Sequence, residues 1–117
     1  MDSYYTIRLE LKELNAKNQK LEYRALYSEL KKEGFTETFL ANENEFILPD
    51  GMYAILKYNF SQHLVLQKAE EALELALKPY YGAAWIDKYD LTVSGAGVIL
   101  SRNLDQVKKN FNSSSLP

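Results

Sequence analysis

The stretch YTIRLEL, residues 5–11, decides how the rest of the chain is read. Tyr5, Ile7, Leu9 and Leu11 alternate with Thr6, Arg8 and Glu10. A period of two is the pattern of a half-buried β-strand, with one face packed and the other meeting water or a partner. The open face carries an Arg and a Glu two residues apart, about 7 Å along the strand. The pair is either an ordinary solvated pair or a site.

Working outward, KELNAKNQK reads as a polar loop, and LEYRALYSELKKEGF as a helix. Tyr23, Leu26, Tyr27 and Leu30 fall at i, i+3, i+4 and i+7 and form its apolar stripe. Lys31, Lys32 and Gly34 give its stop signal. FTETFLA (35–41) reads as a strand, NENE as a hairpin turn or loop, and FILPDGMYAILKYNF as strand broken by the turn triplet PDG. Ser61 is the expected N-cap of a second helix, with Val65, Ala69, Ala72, Leu73, Ala76 and Leu77 on one face and Pro79 closing it. AAWIDKYDLTVS then reads as strand, with Trp85, Asp87, Tyr89, Leu91 and Val93 on one side. GAG is read as a turn, VILS as a short strand, and LDQVKKNF as one or two helical turns. The order β-α-β-β-α-β with an extra short C-terminal strand predicts an α+β, ferredoxin-like sandwich. Its helices would cover one sheet face and leave the Arg8–Glu10 face open. A single domain over residues 1–111 and a flexible tail over 112–117 complete the expected organisation.

Composition narrows the function classes. The chain has 117 residues, 46% hydrophobic and 26% charged, and no Cys, which suits one soluble domain in a reducing compartment. MDSYYTIRLEL has no basic stretch leading into an apolar one, and no apolar run nears the ~18 residues of a membrane span. A cytoplasmic protein is expected. A net charge of −2, from 14 basic and 16 acidic residues, argues against a general nucleic-acid coat protein. Nine Tyr and five Phe are a heavy aromatic load, suited to a core, to an interface or to stacking on bases.

Several segments together resemble a family. TIRLEL, a Tyr- and Leu-bearing helix ending in EGF, then FILP, and YNFS leading into VLQKAEEAL are similar to the GhoS-like antitoxins of type V toxin–antitoxin systems. The similarity covers residues 4 to 77. It implies a ferredoxin-like fold related to the Cas2 and VapD nucleases and an endoribonuclease acting on the messenger of a small membrane toxin. PDGMYAILK is longer than the family pattern, and nothing from Trp85 onward matches. Related nucleases place an acidic residue late in the first strand, where this chain has Glu10.

The candidate chemistry starts there. Glu10 could serve as a general base or hold Mg²⁺, with Arg8 clamping a phosphate through its planar fork; the plainer reading is a solvated pair worth under about 1 kcal/mol. His63 is the lone His, placed in the first turn of the second helix, where it reads as a candidate base or as a surface His beside the cap. SGAGV is a weak phosphate-loop pattern that also reads as a plain turn. Asp50, Asp87 and Asp90 are not at metal-ligand spacing, and a chain with one His and no Cys offers no zinc set. Val98, Ile99 and Leu100 are the expected edge of a homodimer, since edge pairing removes an exposed strand edge. Two functional readings follow. One is an RNA-cleaving or RNA-binding antitoxin-like protein using Arg8 and Glu10, with a Cas2-like relative that only binds as its variant. The other is a phage- or plasmid-borne inhibitor, such as an anti-CRISPR protein, that covers a protein target with an aromatic patch of Tyr53, Tyr58, Tyr80 and Tyr81.

Overall fold

The computed structural model describes residues 2–14, 17, 19–58, 60–97 and 104–107. In chain order the elements are β1 (Asp2–Leu11), α1 (Gln19–Lys32), β2 (Thr38–Ala41), β3 (Asn44–Ile47), β4 (Met52–Tyr58), α2 (Gln62–Tyr81), a 3₁₀ helix (Gly82–Asp87) and β5 (Tyr89–Gly97). β1 is the centre of a three-stranded antiparallel sheet, order β4–β1–β5. Its alternation is realised as read, with Tyr5, Ile7, Leu9 and Leu11 buried and Arg8 and Glu10 exposed.

Both helices lie on the Ile7 side. All six residues of the expected α2 stripe are buried, together with Leu26 and Leu30 of α1. Ser61 caps α2, its Oγ accepting from the Leu64 N–H at 3.1 Å. Gly34 (φ +103°) ends α1, and the Gly34 and Phe35 N–H groups bond back to Lys31 and Leu30. Phe35 is thereby driven into the core, with none of its surface exposed.

The α+β class holds, while the strand plan differs from expectation. Only Thr36 of the FTET stretch joins the main sheet, exchanging 2.8 Å hydrogen bonds with Ala54 on β4. The chain then peels away, and β2 pairs with β3 as a separate hairpin. Its two-residue loop, Asn42–Glu43, has positive φ at both positions, the geometry that matches strand twist. Phe39 explains the departure. Its ring is buried against Phe46 and edge-on to Tyr4, in a second small cluster with Leu48 and Ala54. The hairpin therefore folds over the sheet face that the helices leave, and Leu40 N–H donates to the Tyr4 hydroxyl at 3.0 Å. The Tyr4–Ala54 half of that face is covered; the Arg8–Glu10 half is open.

Four other expectations are corrected. Pro79 does not close α2, which runs on to Tyr81. The AAWID part of the expected strand is 3₁₀ helix, so β5 begins only at Tyr89. GAG is not a turn: it lies in β5, where the register slips between Tyr4↔Gly97 and Tyr5↔Gly95, as at a β-bulge. Residues 104–107 are extended rather than helical: Ile47 N–H donates to Asp105 C=O and Val107 N–H to Glu45 C=O. Val98, Ile99, Leu100 and the 112–117 tail lie outside the described residues. Among the described residues no helix is long and apolar enough to cross a membrane.

Candidate functional site

Strand register brings the Arg8–Glu10 face together with β5. Arg8 is opposite Thr92 and Glu10 is opposite Asp90, all on the open side. Arg8, Glu10, Asp90 and Thr92 line one shallow depression. Neither Arg8 nor Glu10 is in an ion pair among the described residues. Like charges directly opposite on neighbouring strands repel, and Lys12 offsets part of this by pairing with Asp90 at 3.1 Å. Both of those side chains are largely exposed, so that pair contributes little to stability.

The larger feature begins at the same Glu10. A cavity of about 560 Å³ lies where the end of β1 meets α1 and the start of β4. α1 contributes Tyr23, Arg24 and Tyr27; β1 contributes Leu9 and Glu10. The α1–β2 connection contributes Glu37, the turn into β4 brings Asp50 and Gly51, and β4 itself brings Tyr53. Gly51 fixes that turn. Leu9 N–H donates to its carbonyl at 2.7 Å, its φ is +82°, and a Cβ there would lie 2.9 Å from the Leu9 carbonyl oxygen. Asp50 is thus held beside the strand end. Tyr27 and Tyr53 stack with ring centroids 6.4 Å apart and planes 26° off parallel.

The electrostatics of this cavity are negative. Burial, then the charges of Glu37, Tyr23, Tyr27 and Asp50, push the Tyr53 hydroxyl up to about 12. The Tyr27 hydroxyl is raised too, by burial first and then by the charge of Glu37 and a hydrogen bond to it. Three carboxylates, one guanidinium and two phenols held neutral are suited to receiving positive charge, not phosphate. Among the described residues no group of three acidic or His side chains is close enough to hold one metal ion.

The remaining candidates are dispersed. His63 is exposed at the start of α2. Its neighbour Gln62 hydrogen-bonds the Gly95 carbonyl, which places that helix end by the finish of β5, whereas Glu10 lies at its beginning. Asp87 ends the 3₁₀ helix and is exposed. Tyr53, Tyr80 and Tyr81 of the expected patch do not make one exposed surface. Tyr53 is 8% exposed in the cavity wall. Tyr80 is exposed, but Tyr81 is half-buried and donates to the Glu22 carboxylate at 2.8 Å. Tyr58 belongs to β4. The residues that sequence reasoning missed are Tyr23, Arg24, Tyr27 and Glu37. Tyr rather than Leu at two positions of the α1 stripe was the available signal, because a phenol ends an apolar stripe with a polar tip. Comparison with protein-family models, curated proteins and solved structures returns no match.

Proposed function

We propose that this chain is a non-catalytic binding domain that acts, as an inhibitor does, by engaging a basic segment of a partner protein. The observation that carries this reading is the convergence of Glu10, Glu37 and Asp50 on one tyrosine-walled cavity, with Asp90 facing Glu10 alongside. A polyanion approaching Arg8 would meet that field, and a cationic segment would be drawn by it. The contact surface is a carboxylate-and-tyrosine cavity rather than an exposed aromatic patch.

A second reading is an RNA-cleaving or RNA-binding antitoxin-like protein. It is favoured by Arg8 and Glu10 sharing the uncovered half-face with Thr92, where Glu10 and Asp90 together offer two carboxylates to Mg²⁺. In this reading the frame is a ferredoxin-like split βαβ unit whose second strand is reduced to the Thr36–Ala54 bridge, a fold that hosts nucleases and binding proteins alike. The free outer edge of β5, unpaired among the described residues, supports a homodimer in either case.

The deciding experiment incubates the purified protein with labelled bacterial RNAs, with Mg²⁺ or with EDTA, beside Arg8→Ala and Glu10→Ala. The binding-domain reading expects no specific cuts. Specific cuts lost in both variants would replace it with the ribonuclease.

A further inference from the structure

The cavity at the end of β1 has a shape and a charge that narrow what it takes. Its carboxylates come from three separate segments, and none is in an ion pair among the described residues. Against Arg24 alone they leave the lining two charges negative at neutral pH. They surround one space without being close enough to share a metal ion. The complementary ligand therefore carries positive charge spread over several atoms. The stacked Tyr27 and Tyr53 rings, with Tyr23 beside them, add π-faces that attract a flat cation.

We infer that this cavity receives the guanidinium of one arginine side chain presented by the protein partner, an inference that rests on the binding-domain reading above. A guanidinium is planar and weakly hydrated, stacks on tyrosine, and offers donors along two edges to carboxylates on different sides. An ammonium is a compact, strongly hydrated point charge that reaches one carboxylate at a time. The space of about 560 Å³ exceeds one such group and leaves room for neighbouring atoms of the segment carrying it. Arg24, on the rim of the same space, acts against the incoming charge and keeps the empty cavity from full self-repulsion.

The test is a ¹H–¹⁵N NMR titration of the intact chain with Nα-acetyl-arginine methylamide. The lysine and citrulline methylamides serve as controls, citrulline matching arginine in shape without its charge. The arginine compound is expected to shift the Tyr27, Gly51 and Tyr53 amides saturably, and the citrulline compound to bind at least tenfold more weakly, with lysine between them. Glu37→Gln and Asp50→Asn should each weaken arginine binding by about tenfold, the loss of one charge-assisted hydrogen bond. Arg24→Gln should tighten it several-fold. Equal binding of citrulline, or shifts confined to Arg8 and Thr92, would overturn the inference. A second arm titrates a labelled arginine-rich nonapeptide. If the peptide binds and is indifferent to Glu37→Gln and Asp50→Asn, the arginine pocket is wrong and the binding-domain reading stands. If neither the peptide nor the amino-acid probe binds, both fall.

Discussion

Glu22 gives the sharpest prediction about what holds the fold together. It lies in the first turn of α1, with none of its surface exposed. One carboxylate oxygen accepts from the Tyr81 hydroxyl at 2.8 Å, while Oε2 is buried with no hydrogen-bond partner among the described residues. Replacing Tyr81 with Phe keeps the ring and removes the donor. The carboxylate would then lose the Tyr81 donor in a site water does not reach, which costs about 2–3 kcal/mol, the upper part of the range for a stranded buried group because it is acidic. Glu22→Met removes the carboxyl at similar volume and is expected to be neutral or to stabilise by about 1–3 kcal/mol, as when buried charges give way to apolar side chains. In that background Tyr81→Phe should cost under about 1 kcal/mol, so the two changes couple by at least about 1 kcal/mol. Urea unfolding of the four proteins, followed by circular dichroism, measures the cycle. Equal costs of Tyr81→Phe in both backgrounds would refute the argument that the hydroxyl serves the carboxylate.

Three further outcomes follow from the same packing. Gly51→Ala places a Cβ against the Leu9 carbonyl at positive φ and should cost about 2–5 kcal/mol, the sum of left-handed strain and overpacking; a urea midpoint within error of the parent's contradicts it. Tyr53, with its hydroxyl pushed up to about 12, favours the neutral phenol in the folded state. The stability this contributes is complete below the unfolded value near 10 and is lost as pH rises from 10 through 12. It amounts to roughly 2–3 kcal/mol, so Tyr53→Phe should flatten the alkaline limb of a stability–pH curve, and an unchanged limb counts against it. Phe39→Ala should strip hydrogen-exchange protection from the hairpin amides of Leu40 and Phe46 while those of Ile7 and Ile55 keep theirs, since Phe39 belongs to the second cluster alone; uniform loss would show one indivisible core.

What was legible in the sequence was whatever repeats along a single element. The alternation of β1 and the Val65-to-Leu77 stripe of α2 each report a local burial face, and both are buried as read. Pro79 misled because a missing N–H matters only where its acceptor needs a partner. The acceptor four residues back belongs to Leu75, which is 61% exposed, so water can satisfy it. Tyr23 and Tyr27 fit a helical stripe with Leu26 and Leu30, but only the leucines are core; Tyr23 is 39% exposed and both tyrosines line the cavity. Periodicity reports the face and not what lies opposite it. Glu22 is the converse case, a carboxylate one helical turn before Leu26 and on the same face, whose residue type points to water and which tertiary packing buries. The cavity itself depends on three segments converging, and the hairpin over Tyr4 depends on Phe39 finding Phe46 and Ala54. Neither is a property of any one stretch of chain.

The most direct measurement of the central claim is a paired anisotropy titration of the intact protein against a fluorescent arginine-rich peptide and a fluorescent single-stranded RNA, each at low and at physiological salt. The account predicts binding of the peptide that weakens with salt, is reduced about tenfold by Asp50→Asn, and has no counterpart with RNA. Tight RNA binding lost in Arg8→Ala, beside a peptide that does not bind, would contradict it.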